Sequence, residues 1–266
     1  MTFAIDSLNK LLSPGDGQGR VWLVGAGPGD VELLTVKALK LLQQAEVVVY
    51  DRLVSEAVMA EVPLSALCID VGKQPGRHGL KQSEINQLLA DLARGGREVV
   101  RLKGGDPFIF GRGGEEQAFL QQAQVRCDVV PGITAAAGCA AASGIPLTHR
   151  DCAQSLRLIT GHGRLGEPQL AALAYRDARE TLVFYMGLRW SASIAAQLQQ
   201  QGRAGDTPVA IIENGTRPDQ RVIITSLAGL AQTVAQQQPV SPSLLIVGDV
   251  VRYAAAAQRA KADAEA

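Results

Sequence analysis

The sequence predicts an α/β protein of two α/β domains, the first with a mostly parallel sheet and the second with a mixed sheet. Short β-branched runs alternate with longer amphipathic stretches along the whole chain. One segment, "GIPLTHRDCAQS" at 144–155, interrupts this alternation with a glycine, a proline and a polar cluster. At 266 residues the chain is long enough for two such domains.

The first domain, residues 20–145, is predicted to hold five strands and three helices. The strand candidates are Val21–Val24, Val47–Tyr50, Cys68–Val71, Val99–Leu102 and Val125–Val130. The helix candidates carry apolar residues at helical spacing and are Thr35–Ala45, Gln82–Arg94 and Glu115–Gln124. Strands that alternate with helices predict right-handed crossovers and therefore a parallel sheet with helices on both faces.

The second domain, residues 146–253, repeats the alternation with one difference. Its strand candidates are Leu156–Thr160, Thr181–Tyr185, Val209–Glu213, Val222–Thr225 and Leu244–Val247, and its helix candidates are Ser191–Gln201 and Leu227–Gln237. Val222–Thr225 follows the preceding strand too closely for a helical crossover, which predicts an antiparallel pair. Residues 1–19 are interpreted as an arm and linker, and residues 254–266 as a polar helical tail.

Composition narrows the function. Lys and Arg together number 26, as do Asp and Glu, so the formal net charge is zero and nothing indicates a nucleic-acid or membrane partner. No run approaches the roughly 18 apolar residues of a membrane-spanning helix, and the N-terminus lacks a signal-peptide pattern, so we expect a cytoplasmic protein. The four cysteines lack CxxC spacing, which predicts reduced thiols and no metal site.

Two Gly-Asp loops follow predicted strands. The first, "VGAGPGD" at 24–30, resembles a dinucleotide loop but has Asp30 where the third glycine would stand, which is unfavourable for a pyrophosphate. The second contains Gly104, Gly105 and Asp106. Together they favour a phosphate-free cofactor with positive charge, such as S-adenosylmethionine. On the residues alone, it is equally possible that both loops are only tight turns that cap the helices behind them.

Longer motifs identify a resemblance. They are "VGAGPGD", "VVVYDRLVS", "VGK", "VVRLKGGDPFIFGRGGEE", "VVPGITAAAGCAAASGIPLTHRD", "LVFYMGL" and "ENGTRPDQRV", in this order. Across roughly residues 20–250 the chain resembles the tetrapyrrole methylase family, and most closely its uroporphyrinogen-III C-methyltransferases. The resemblance implies a homodimer that binds S-adenosylmethionine in a cleft between its two domains and releases S-adenosylhomocysteine. The substrate would be uroporphyrinogen III, methylated on rings A and B to give precorrin-2 via a monomethylated intermediate, for sirohaem, cobalamin or haem d1.

The resemblance also implies roles for individual residues. The cofactor would be bound by Pro28, Gly104, Gly105, Asp106, Ile109, Thr134, Ala135, Met186 and Gly215. The substrate, which carries eight carboxylates, would be bound by Arg52, Arg112, His149, Arg150 and Met186, since arginine binds carboxylates in a bidentate fashion. The catalytic candidates are Asp51, Lys73, Arg112 and Glu115. Methyl transfer to a ring carbon must be followed by proton loss, and Asp51 or Glu115 suits the role of base better than the permanently charged Arg112.

Other functions are also compatible with the sequence. The chain could be another precorrin methyltransferase of the same family, since ring choice depends on the shape of the pocket. It could also be an NAD(P)-dependent oxidoreductase or a tetrapyrrole carrier without catalysis. Asp30 argues against the oxidoreductase.

Overall fold

The computed structural model describes residues 19–72, 80–161 and 179–254. The chain divides into two compact units, Met1–Thr134 and Ala135–Ala266. Across the described ranges, no helix is both long enough and apolar enough to cross a membrane.

The first unit is built on a five-stranded sheet. Its strands are β1 (Arg20–Gly25), β2 (Val47–Tyr50), β3 (Leu67–Asp70), β4 (Glu98–Lys103) and β5 (Arg126–Val130), in the order β3-β2-β4-β1-β5. Every neighbouring pair is parallel. The helices are α1 (Val36–Gln43), α2 (Glu56–Met59), α3 (Gln82–Arg94) and α4 (Gly113–Gln122). Because all five strands point the same way, the loops that follow them lie along one edge of the sheet.

Both faces of this sheet are buried, as its near-continuous apolar strands require. Val21 and Leu23 of β1 pack into one core with Leu89 of α3. Val24 of the same strand packs into the opposite core with Leu42 of α1. Alternate residues of one strand thus serve two helix layers.

The second unit contains a mixed sheet. Its strands are β6 (Ser155–Thr160), β7 (Glu180–Tyr185), β8 (Pro208–Glu213), β9 (Arg221–Ser226) and β10 (Ser243–Val247), in the order β6-β7-β10-β8-β9. β6 and β7 are parallel, whereas β10 is antiparallel to both of its neighbours and β8 is antiparallel to β9. The helices are α5 (Ala135–Ala142), α6 (Ser191–Gln200) and α7 (Leu230–Gln237). The predicted fold class, including the mixed second sheet, is confirmed.

Helix α5 belongs to its unit because of its packing, which the sequence pattern does not reveal. The sequence predicts no helix here, and its predicted domain boundary places these residues in the first domain, before the Gly144 and Pro146 interruption. The structure assigns it to the second unit, where Ala136, Cys139 and Ala140 pack with Ile246 of β10. Its small side chains let the helix approach the sheet closely.

Three main-chain loops meet at the carboxyl ends of β1, β4 and β5. The N–H of Gly27 donates to the carbonyl of Gly105 (3.2 Å), and the N–H of Gly105 donates to the carbonyl of Gly27 (2.7 Å). A Cβ on Gly25 would lie 2.5 Å from the nitrogen of Gly132 and 2.6 Å from the carbonyl oxygen of Gly105. Only glycine permits this approach, so the loops form one interlocked main-chain surface.

We therefore expect Gly132→Ala to destabilise the protein. The added methyl group would overlap the carbonyl oxygen of Gly105 and lie 2.8 Å from the Cα of Gly25, and both atoms belong to main chain that cannot move alone. The free energy of unfolding in urea should fall by about 1–3 kcal/mol. The matched control is Gly114→Ala in α4, where a Cβ meets nothing within 4 Å and alanine favours the helix by up to about 1 kcal/mol. Equal stabilities for the two variants would contradict the interlocked packing.

Candidate active site

The carboxyl edge of the first sheet gathers most of the candidate residues of this unit. Pro28 follows β1, Asp51 and Arg52 follow β2, Gly104 to Arg112 follow β4, and Thr134 follows β5. In an open α/β sheet this edge is where ligands bind. Lys73, a catalytic candidate of the sequence analysis, lies outside the described residues.

The loop after β1 differs from a dinucleotide loop. Gly27 and Gly29 have φ values of 70° and 148°, which favour glycine. Asp30 then caps a single 3₁₀ turn, Val31–Leu33, by accepting from the N–H of Glu32 at 2.9 Å. Helix α1 begins only at Val36, so the loop does not open directly onto a helix N-terminus as a pyrophosphate site requires.

Asp106 braces the loop after β4. One carboxylate oxygen accepts from the N–H of Phe108 at 2.9 Å, and the other accepts from the N–H of Gly132 at 3.0 Å. The side chain therefore ties the second Gly-Asp loop to the loop after β5. Both oxygens of Asp106 are thus engaged by main-chain N–H groups.

Asp51 directly follows the last residue of β2, and its side chain is 26% exposed. One oxygen accepts from the N–H of Leu53 at 3.0 Å, which fixes the carboxylate in a turn. The other oxygen lies 3.6 Å from Nη2 of Arg101. Arg52, the next residue along the chain, is exposed.

A buried cluster of charges lies beneath Asp51, and its members were not among the predicted site residues. Arg101 and Lys103 alternate with apolar residues on β4 and project from the same face. Nε of Arg101 and Nζ of Lys103 lie 3.2 Å and 3.0 Å from Oε1 of Glu116 in α4, whose side chain is fully buried. Gln82 of α3 also donates to this oxygen, at 3.0 Å. The pKa of Lys103 is lowered by burial first and by the neighbouring charge of Arg101 second, although Glu116 opposes the shift.

A sequence signal for this cluster exists. A strand buried on both faces is normally a continuous apolar run, so two cations spaced two residues apart in "VVRLK" demand a buried counter-charge. The first turn of the following helix supplies one in Glu116.

Arg112, the N-cap of α4, and Glu115 in the first turn of that helix form an ion pair. Nε and Nη2 of Arg112 donate to the two oxygens of Glu115 at 2.9 Å and 2.6 Å. The hydrogen bond to Arg112 is the main reason that the pKa of Glu115 is lowered, and the same bond raises the pKa of Arg112. Glu115 is thereby a weaker base than an unpaired carboxylate.

In the second unit, Ala135, Met186 and Gly215 lie at one edge of the sheet. β7 and β8 run in the same direction on either side of β10, so the residues that follow them, Met186 and Gly215, share an edge. The hydroxyl of Tyr185 accepts from the N–H of Ala136 at 2.9 Å, which brings the start of α5 to the same edge.

Met186 and Gly215 differ in their surroundings. Met186 is 52% exposed, so it is not a core residue of the second unit. Gly215 is buried, and a Cβ there would overlap Sγ of Cys139 and lie 3.0 Å from its Cβ. Packing against α5 is therefore sufficient reason for a glycine at this position, whatever it binds.

His149 and Arg150 lie in a short turn that is closed by two hydrogen bonds of 2.8 Å between His149 and Ala153. The N–H of Asp151 donates to Nδ1 of His149 at 3.2 Å, so this nitrogen is an acceptor and the neutral ring carries its proton on Nε2. The ring of Tyr253 packs beside it at 4.5 Å between centroids. Arg150 is exposed at the tip of the turn.

Backbone strain concentrates in the candidate loops. Within the described ranges, the non-glycine residues with left-handed φ in these loops are Phe110, Arg112, Met186, Asn214 and Thr216. Such conformations cost of order 1–3 kcal/mol each and persist where the surrounding structure enforces them, often at ligand sites.

Comparisons with known proteins agree with this picture. The profile of the family described as Tetrapyrrole (Corrin/Porphyrin) Methylases matches residues 20–231. A siroheme synthase of Edwardsiella ictaluri is 58% identical over 237 residues, which are 88% of this chain and 50% of that protein. Siroheme synthase 1 of Aeromonas hydrophila is 55% identical over 252 residues, which are 94% of this chain and 54% of that protein. The chain thus spans about half the length of these relatives.

Solved structures give the same family. A uroporphyrin-III C-methyl transferase from Thermus thermophilus, crystallised with S-adenosylhomocysteine, is 44% identical. It superposes with a TM-score of 0.76 and covers 88% of this chain and 99% of its own. A cobalt precorrin-4 methyltransferase is 29% identical, with a TM-score of 0.75 over 87% of this chain and 95% of its own.

The buried cluster generates a stability prediction for Glu116→Gln. This change leaves Arg101 and Lys103 buried without their anion, which should lower the free energy of unfolding at pH 7 by about 3–5 kcal/mol. The lowered pKa of Lys103 should fall further, so this lysine loses its proton more readily in the folded than in the unfolded chain. The deficit should therefore shrink as the pH rises from about 7 towards 10.

The neighbouring Glu115→Gln is the matched control for that measurement. It removes the same charge from the same helical turn, but its side chain and that of Arg112 are more than half exposed. An exposed pair contributes at most about 1 kcal/mol, so urea unfolding should change little. Equal losses in the two variants would show that the burial of Glu116 does not matter.

Proposed function

Because the chain belongs to the tetrapyrrole (corrin/porphyrin) methylase family, we propose that it transfers methyl groups from S-adenosylmethionine to carbon atoms of uroporphyrinogen III. The family resemblance of the sequence motifs is confirmed by the profile match and by the Thermus thermophilus structures. In this proposal, rings A and B are methylated in turn to give precorrin-2, and the enzyme acts as a homodimer. The product would serve sirohaem formation or a related pathway.

One observation carries the proposal. Three features lie along one edge of the first sheet. They are the glycine-rich main-chain surface, the fixed carboxylate of Asp51 and the exposed arginines Arg52 and Arg112. Methyl transfer to a polycarboxylate needs a cofactor site, a base and carboxylate-binding cations, and this grouping of residues supports assigning all three roles to this edge.

The loops of the first unit fit S-adenosylmethionine better than a dinucleotide. The closely packed glycines around Gly105 present a main-chain surface on which an adenosine would pack, while the carboxylates of Asp30 and Asp106 disfavour phosphate. S-adenosylmethionine would supply a methyl group on a positively charged sulfur. We assign its binding to Pro28, Gly104, Gly105, Asp106, Ile109 and Thr134 of the first unit, and to Ala135, Met186 and Gly215 of the second.

The arginines would hold the substrate by its carboxylates. Arg112 uses Nε and Nη2 on Glu115, which leaves the N–H groups of Nη1 for a ligand. Arg52 and Arg150 are exposed at the ends of their elements, and His149 offers its Nε2 proton beside Arg150. Several such contacts would orient the ring that receives the methyl group.

Asp51 would accept the proton that the methylated carbon framework must lose. Its carboxylate is oriented by Leu53 and is partly open to solvent, whereas both oxygens of Glu115 are engaged by Arg112. By its place in the "VGK" motif, Lys73 would act as a proton donor, as the family resemblance implies.

Asp51→Asn should lower kcat for methylation by about 100-fold or more, because the amide cannot accept the proton. The affinity for S-adenosylhomocysteine should stay within twofold. The measurement is anaerobic turnover of uroporphyrinogen III with S-adenosylmethionine, with products identified by mass and absorption spectra. Asp70→Asn is the matched control, since Asp70 ends the neighbouring strand β3 and also accepts from a main-chain N–H two residues on.

The outcomes separate the alternatives. Normal methylation by Asp51→Asn would refute its role as base. Calorimetric binding of NAD but not of S-adenosylhomocysteine would refute the methyltransferase. Wild-type protein that binds S-adenosylhomocysteine and the tetrapyrrole but forms no methylated product would indicate a carrier, and product from another precorrin would indicate a different member of the family.

A further inference from the structure

The proposed function does not explain why β4 carries two buried cations. Arg101 and Lys103 are each only 3% exposed, although a strand in this position is stabilised more simply by apolar residues. A buried ion pair is costly to desolvate, so its presence calls for a reason other than stability.

We propose that Arg101 is a positioning residue that holds the Asp51 carboxylate in the orientation needed for proton abstraction. The proposal rests on the proposed function, since it assigns a role relative to the base of that reaction. It does not require Arg101 to touch the substrate or the cofactor.

Three hydrogen bonds to groups other than Asp51 fix the guanidinium of Arg101. Nη1 donates to the carbonyls of Val49 at 3.3 Å and of Leu102 at 3.1 Å, and Nε donates to Glu116 at 3.2 Å. These acceptors belong to strands β2 and β4 and to helix α4, so three elements set the plane of the group. Nη2 is the part of the fork that lies 3.6 Å from Asp51.

Arginine suits this position better than lysine. A planar fork can serve two carbonyls and two carboxylates at once, whereas an ammonium is a single point charge on a flexible stem. Lys103, on the same face of β4, provides the contrast: burial lowers its pKa, while arginine stays charged at any ordinary pH. The cluster thus keeps a permanent charge 3.6 Å from Asp51, whereas Lys103 directs its Nζ to Glu116 at 3.0 Å and acts on Asp51 through its charge.

The test compares two removals of charge from the same strand face, each with methionine as the replacement. Arg101→Met should lower kcat at least tenfold with the KM for uroporphyrinogen III unchanged within twofold. Lys103→Met removes the same charge but leaves the fork in place, so kcat should fall by less than threefold. Combined with Asp51→Asn, Arg101→Met should cause no further loss, because the residue that it positions is already inactive.

A second measurement does not depend on turnover. The carboxyl group of Asp51 can be modified with a water-soluble carbodiimide and an amine, and the modified peptide quantified by mass spectrometry. Release of the side chain from Arg101 should raise the labelling rate of Asp51 several-fold in Arg101→Met and much less in Lys103→Met. If wild-type protein forms no methylated product, the proposed function fails, yet the labelling still decides whether Arg101 positions Asp51.

Three results would overturn the inference. They are equal losses of kcat in Arg101→Met and Lys103→Met, a multiplicative loss on combination with Asp51→Asn, and unchanged labelling of Asp51. If Arg101→Met does not fold, as judged by circular dichroism, Arg101→Lys replaces it. This variant keeps the charge, loses the fork and should show an intermediate kcat with an intermediate labelling rate.

Discussion

Main-chain contact between the loops that follow β1, β4 and β5 is the constraint on which the first unit depends. Gly27 and Gly105 exchange hydrogen bonds, and Gly25 and Gly132 approach more closely than any side chain would allow. Because parallel strands deliver these loops to one edge, the contact converts three flexible connections into a single surface. The side chain of Asp106 adds its own bonds across that surface. A preorganised surface binds a small cofactor without the entropic cost of ordering loops.

The charged interior of β4 is a second consequence of the same sheet. β4 lies between β2 and β1, so a side chain on it reaches both the core beneath α4 and the end of β2. Arg101 uses this place to connect Glu116 of the helix with Asp51 at the edge. The arrangement is a poor way to gain stability, but it transmits a fixed geometry from the core to the carboxylate that is the proposed base. The apolar residues of β4 thus contribute stability, whereas Arg101 orients the carboxylate of Asp51.

The sequence predicted the strands and the class of the fold because apolar runs and turns are local signals. It did not predict α5, since its run of alanines carries no alternation of polar and apolar faces and only packing against β10 reveals its unit. It identified Glu115 rather than Glu116, because two adjacent glutamates look alike until one is buried and the other exposed. Arg112 and Glu115 lie three residues apart and pair locally, whereas the bond from Gly132 to Asp106 joins residues that only the folded chain brings together.

The most direct test of a preformed cofactor surface on the first unit is amide hydrogen exchange of the whole chain with and without S-adenosylhomocysteine. The interlocked glycine loops should already exchange slowly in the free protein. The ligand should slow the exchange further in residues 25–30, 104–109 and 131–134, with NAD causing no change. Fast exchange of these loops in the free protein, or slowing by NAD and not by S-adenosylhomocysteine, would contradict the account.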